Sequence, residues 1–368
     1  MSEIIKDDFI EIPKDSRFTY IIGNNGVGKS LTLESNAQIN SYKHDVIVIS
    51  SGVSDKFKWG GAKKFRKPGS YTYLGNRTVG NGIHINTISA NAVLNYVNCL
   101  KSQSENIFFE LLKNIGFEPV VEIAPRNVKK RKDVDVEEFK GGELNHEFVN
   151  GHSRVFLNKS KPFELMLKKE GCELMSFSSF SSGEQNMISM GLKILSQRSP
   201  GALFYIDEPE ISLHLEWQLA WPKLMQGLVD DFPECKFVVA THSPVIIASA
   251  LALKARCFNL GPNKKLSKID SKNPNIEGLI FGEFHTYTPG NKAIYEQYAR
   301  VLSMALEYTN AESYSKEEVE GEVINLVEKA RKVSILFHDK KELNISIKEF
   351  EGAIKELLLR SVEGEHDA

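Results

Sequence analysis

The chain has 368 residues, of which 41% are hydrophobic and 26% charged, with a formal net charge of −2. This describes a globular protein long enough for two to three domain-sized units, and it excludes a disordered polyelectrolyte or a uniformly basic surface. No run approaches eighteen apolar residues, MSEIIKDDFIEI lacks the layout of a signal peptide, and the four cysteines (Cys99, Cys172, Cys235, Cys257) have no metal-ligand spacing. A cytoplasmic protein without membrane association is expected.

In chain order, RFTYII (17–22) and DVIVIS (45–50) read as short buried strands around a helix at about 31–41, a βαβ unit. From about 52 to 90, Gly, Lys and aromatics with weak periodicity predict an exposed excursion. ANAVLNYVNCL and SENIFFELLKNIGF have helical spacing, and the charged stretch 127–148 reads as a loop or hairpin. SRVFL and PFELMLKK read as strands returning to the core. ALFYID (202–207) and KFVVATHS (236–243) are two buried strands joined by a helix. Beyond about 265 the chain reads as Lys/Glu-rich helices at about 290–310, 315–333 and 342–361, with no β-run.

The sharpest motif is GNNGVGKS at 23–30, between a strand and a helix, which satisfies G-x-x-x-x-G-K-[ST]. Gly23, Gly26 and Gly28 let the loop's backbone N–H groups, those of Asn24, Asn25 and Val27 among them, turn inward around phosphates. The helix N-terminus adds positive potential, Lys29 reaches the terminal phosphates, and the Ser30 hydroxyl takes a Mg²⁺ position. ALFYIDEPE then places Asp207 and Glu208 at the C-terminal edge of a buried strand, where open α/β sheets bind ligands. Asp207 is expected to hold Mg²⁺ through water and Glu208 to polarise the water that attacks the γ-phosphate. His242, just past the next buried strand, can reach the same edge and contact the γ-phosphate or that water. ATP and Mg²⁺ are the cofactors implied.

These elements in this order resemble the ABC-type ATPases in their soluble branch, with the SMC-type, RecF-type and OLD-like proteins. The fold expected is α/β, a P-loop ABC-type ATPase head with an inserted helical and loop subdomain and a C-terminal helical extension. Its divisions are 1–50 and 175–265 for the two parts of the ATPase core, 51–174 for the insert and 266–368 for the extension. Phe180-Ser181-Ser182-Gly183-Glu184-Gln185 fits the family's L-S-G-G signature, with Phe180 in the Leu place and Ser182 in the first Gly place. The resemblance implies that this helix entrance grips a γ-phosphate bound to a partner subunit, through the Ser181 hydroxyl, the Gly183 backbone and the helix dipole. ATP would then join a dimer with two composite sites, and an isolated monomer would hydrolyse slowly.

The chain departs from that pattern in having no Gln within 51–90, leaving Ser51 and Asp55 as substitutes. The stretch after the Walker-B strand reads Ile211-Ser212-Leu213-His214, and its LH pair is associated with the DNA-linked and defence-linked branch. About 150 residues separate Lys29 from Ser181 without heptads, so no long coiled coil is expected. The tail after 265 has no D-x-D, so no nuclease of its own is expected. VIVISSGVSDKF and YTYLGNR resemble the compact ATPases of anti-phage systems, the Septu-type and retron-associated PtuA-like proteins, in which the ATPase scaffolds a separate HNH nuclease. A homodimer or higher homo-oligomer with such an effector is the partner set implied.

Three other readings compete: a RecF-like maintenance ATPase that binds DNA directly, a transporter subunit, and a scaffold that binds ATP without turnover. The direct contact with DNA or RNA would come from residues 56–73. There Lys56, Lys58, Lys63, Lys64, Arg66 and Lys67 alternate with Phe57, Trp59, Phe65, Tyr71 and Tyr73. A solvated loop over the nucleotide or a partner explains the same composition. Lys129-Lys130-Arg131-Lys132, followed by acids, reads as a solvated face.

Overall fold

The apolar runs form the middle of a parallel sheet. The computed structural model describes residues 11–13, 16–52, 57, 69–76, 84–126, 140–157, 163–232, 234–269, 275–284, 292–310, 313–332 and 340–363. The chain divides into two compact units, Met1–Asp270 and Ser271–Ala368.

The first unit opens with β1 (Phe18–Ile22), α1 (Lys29–Asn40), β2 (Asp45–Ser50) and β3 (Ser70–Tyr73). There follow α2 (Ile85–Lys101), α3 (Glu105–Asn114), β4 (Phe117–Pro125), β5 (Gly142–Glu143), α4 (His146–Gly151), α5 (Ser153–Leu157), β6 (Phe163–Lys169) and β7 (Leu174–Ser176). A single 3₁₀ turn, Phe177–Ser179, leads into α6 (Ser182–Leu195), then β8 (Leu203–Asp207), α7 (Leu215–Val229), β9 (Lys236–Ala240), α8 (Pro244–Ala252), β10 (Arg256–Leu260) and β11 (Leu266–Lys268). The main sheet has the order β11-β10-β1-β9-β8-β2-β3 and is parallel except for β11, which runs against β10. Helices cover both faces of such a sheet, which is why every residue of β1 and β8 is buried and their sequences show no alternation. Three aromatics stack across three strands, with Phe237 between Phe18 at 4.8 Å and Phe204 at 4.6 Å. This is the α/β architecture expected, built on a mostly parallel sheet.

Register decides where chemistry can occur. Ile21 stands opposite Ala240, Ala240 opposite Asp207, and Asp207 opposite Ser50. Four strands therefore end in one line, and the residues just beyond them share one edge.

Within 84–176 the chain builds more than helices and loops. β4 to β7 form an antiparallel sheet of order β5-β4-β6-β7. FELMLKK forms β6, with one face buried in strict alternation. SRVFL is instead the short helix α5, because five residues of mixed polarity satisfy either period equally well. β11 is likewise a strand beyond 265. The exposed excursion is corrected in part. Phe57 and Tyr71 are core residues at 1% and 6% exposure, β3 hydrogen-bonds along β2, and the Tyr71 hydroxyl donates to Glu34 Oε2 at 2.8 Å. Trp59, Phe65 and the six cations of 56–67 lie outside the described residues, as do Asp55 and 129–132.

The second unit contains α9 (Ile276–Gly282), α10 (Lys292–Thr309), α11 (Lys316–Lys332) and α12 (Lys340–Glu363). Ile294, Tyr298, Val301 and Ala305 recur at helical spacing on α10 and pack with Val319, Leu326, Ile347 and Phe350 in a core of their own. No described helix is long and apolar enough to cross a membrane.

Candidate functional site

Beyond Ile22 the chain turns through 23–28 before α1 begins. Gly26 and Gly28 have φ of +82° and +99°, and no heavy atom lies within 4 Å of where a Cβ would stand on either. Such backbone favours glycine and leaves an open cradle in front of the helix. Gly23 is needed for a different reason, since a Cβ there would lie 2.7 Å from the Leu260 carbonyl. The first turn of α1 carries no acid, so its N-terminal field is uncompensated by its own side chains.

Lys29, 4% exposed, folds back into this loop. Its Nζ donates to the carbonyls of Gly23 at 2.7 Å and Asn24 at 3.3 Å, and lies 2.9 Å from His242 Nδ1. An ammonium only donates, so Nδ1 accepts and the ring proton is assigned to Nε2, which faces Glu208 Oε1 at 3.2 Å. Lys29, His242 and Glu208 thus form one continuous chain of polar contacts. Burial lowers the Lys29 pKa to about 8, against the opposing pull of Glu208, Glu210 and Asp207. The His242 hydrogen bond holds Glu208 below the usual carboxylate range.

Asp207 ends β8 at 2% exposure, and Glu208 follows with φ of +51°, its N–H bonded to the Ala240 carbonyl at 2.9 Å. Ser30 opens α1 beside Lys29 and is half-buried. The open glycine cradle, the buried ammonium and this buried carboxylate fit a triphosphate with a divalent cation. Ser51 donates its N–H to the Asp207 carbonyl at 3.2 Å, which puts this one of the two candidates for the missing Gln at the same edge.

Ser181 and Gly183 form a second group. Ser181 caps α6 in a reciprocal box: its Oγ accepts from Glu184 N, and its N–H donates to Glu184 Oε2 at 2.8 Å. Ser176 caps the preceding 3₁₀ turn, so two of the serines are ordinary caps. Ser178, Ser179, Ser181 and Ser182 are exposed around the helix start. Gly183 is buried, and a Cβ on it would stand 2.7 Å from the Ser212 carbonyl. Glycine at this position is explained by that close approach within the chain.

Two further residues of the site carry no role in the motifs as read from sequence. Glu210, two positions after Glu208, accepts from His242 N and closes the turn after β9; burial raises its pKa, against the hydrogen bond from His242 N. The other is Asn186 on α6, whose one signal is an Asn inside a helix, where its propensity is poor.

Lys29 also links binding to protons. Above pH 8 its side chain is largely neutral in the free protein, and a bound polyanion favours the ammonium, so binding takes up a proton. Calorimetric titration with ATP in two buffers of different ionisation enthalpy should show uptake of about one proton at pH 9 and about a tenth at pH 7. Affinity should weaken roughly tenfold per pH unit above 8. Uptake that stays equal at the two pH values would show that Lys29 does not meet the anion.

Residues 108–248 match a family described as "AAA domain, putative AbiEii toxin, Type IV TA system". The chain is 26% identical over 123 residues to the "Retron Vc95 probable ATPase" of Vibrio cholerae serotype O1 biovar El Tor, covering 30% of this chain and 23% of that protein. The matched stretch therefore spans less than a quarter of the relative. Among solved structures, the SMC head domain from Thermotoga maritima aligns with a TM-score of 0.36 at 14% identity, over 71% of this chain and 93% of that one. An Smc head bound to the C-winged helix domain of ScpA aligns at 0.25 and 18% identity, over 31% and 36%.

Proposed function

We propose that this chain, a P-loop ATPase of ABC type related to a retron ATPase, binds ATP with Mg²⁺ at the 23–30 loop and closes head to tail with a second copy. Slow, partner-stimulated hydrolysis then regulates a separate effector, a nuclease, in bacterial anti-phage defence. The observation that carries the enzymatic part is the Lys29–His242–Glu208 chain at 2.9 and 3.2 Å, assembled from the start of α1 and the residues just past β9 and β8. The defence role is supported by the likeness to the retron ATPase.

Each residue has a definite part. Lys29, held by its own loop, exchanges the Gly23 and Asn24 carbonyls for phosphate oxygens. Glu208 Oε1 accepts a proton from the attacking water, and its lowered pKa keeps it ionised for that step. His242 holds the Glu208 carboxylate in place through Nε2. Ser30 and Asp207 would hold Mg²⁺, which neutralises charge on the phosphoryl oxygens. The exposed serines at the α6 entrance would meet the nucleotide of the other copy.

The DNA-binding alternative loses part of its support, because Phe57 and Tyr71 are interior and unavailable for base stacking.

The test is complementation between two defective chains. Lys29→Ala and Ser181→Arg should each abolish hydrolysis, and their mixture should regain one intact composite site, about half the wild-type rate per dimer at most. Ser181→Arg also removes a helix cap, at a cost of about 1 kcal/mol. Ser182→Arg, which spares the cap, should therefore give the same result. If neither mixture regains activity or nucleotide-dependent association, the head-to-tail arrangement is wrong.

A further inference from the structure

The helix that starts at Ser181 and the turn that carries Glu208 are joined by one side chain. Asn186 Nδ2 donates to the carbonyl of Pro209 at 3.1 Å and to that of Ile211 at 2.8 Å. Its Oδ1 accepts from Ser51 Oγ at 3.2 Å. Both amide hydrogens and the carbonyl oxygen are used, and the reversed amide would set an oxygen against two carbonyls. The turn it grips is strained: Glu208 has φ of +51° and Ser212 of +66°. Backbone of that kind in non-glycine residues persists only where surrounding contacts hold it. Glu208 is held by its N–H to Ala240 and, more weakly, by its carbonyl, which accepts from Ile211 N at 3.3 Å. The Asn186 fork adds two bonds from outside the turn, on the carbonyls that follow Glu208. At Gly183, one turn earlier on α6, the helix backs directly onto the Ser212 carbonyl.

We infer that Asn186 is a positioning residue for hydrolysis: its side-chain amide fixes the Pro209–Ile211 turn, and with it Glu208, to the helix whose entrance is Ser181–Gly183. The inference deepens the proposed function and rests on it. It also supplies a physical link between the two halves of the composite arrangement. A displacement of the α6 entrance by the other copy's nucleotide is passed to Glu208 through this amide. Ser51, which completes the amide's bonding, joins the end of β2 to the same link.

The experiment compares Asn186→Asp and Asn186→Leu with the wild type. Asp is isosteric but presents a carboxylate to two carbonyls, and Leu keeps the volume without any hydrogen bond. Steady-state phosphate release gives kcat and KM, a fluorescent ATP analogue gives affinity, and a thermal melt reports folding. Both variants should lose about 10- to 100-fold in kcat, the cost of a misplaced reacting group, with nucleotide affinity within about threefold. Wild-type hydrolysis that Glu208→Gln abolishes, while both Asn186 variants stay within about twofold, would overturn this inference alone. It is equally overturned if both variants lose affinity as much as kcat, or fail to fold, since either shows a general structural role. A folded wild type without hydrolysis would overturn the functional reading, and this inference with it.

Discussion

Replacing Glu208 by Gln should lower ATP turnover by about 10²- to 10⁴-fold while leaving nucleotide affinity within a few-fold. The substitution keeps the shape of the side chain, and its amide oxygen can still accept from His242 Nε2. What disappears is the carboxylate that takes the proton from water. Binding and chemistry are thereby separated, and the ATP-bound form should accumulate, visible as a nucleotide-dependent rise in native mass. Single-turnover phosphate release is the direct measurement. Turnover within threefold of wild type would move the base elsewhere, and Glu210 would be the next residue to examine, because it shares the turn and reaches His242 N.

The second large effect concerns stability. Trp221 on α7 is fully buried and meets the Tyr20 ring edge-on at 6.3 Å. Its Nε1 has no hydrogen-bond partner among the described residues, so the indole acts through packing alone. Trp221→Ala should cost about 3–5 kcal/mol and lower the melting midpoint by about 10 °C. Trp221→Phe should recover more than half of that. Because Tyr20 lies on β1, just ahead of the 23–30 loop, the Ala variant should also bind ATP more weakly near its midpoint. A shift under 2 °C would mean that α7 is held to the sheet by its other contacts.

How far the site is legible in the sequence depends on whether its chemistry is local. GNNGVGKS is complete within eight residues, and its strand and helix flank it directly. Asp207, Glu208 and His242 are legible because each follows a buried run of five residues or so. Their convergence depends on strand order, with β9 between β1 and β8, which no short window contains. The correction at Tyr71 has that cause. Tyr71 reads as exposed because its neighbours are Gly, Lys and Ser, whereas its hydroxyl is taken up by Glu34, 37 positions away. Asn186 looks like one polar residue in a helix, and its partners lie 23 and 25 positions ahead and 135 behind. The run of serines at 176–182 is only half explained by capping, since Ser176 and Ser181 are caps and the exposed remainder is not.

The strand order also constrains how the molecule is made. Among the described residues, β1 has β9 and β10 as its sheet neighbours, and Tyr20 pairs with Val239 and Cys257. At ribosomal speeds of about 5–20 residues per second, β1 waits about 10–45 s for its first partner. During that interval the five residues FTYII have no ladder to join, and the 23–30 loop has no paired strand to brace it. Nucleotide therefore cannot template the early nascent chain, and the insert, whose antiparallel sheet is local, can order first. A chaperone that shields FTYII until residue 240 has emerged would raise the yield of active protein more than one acting later.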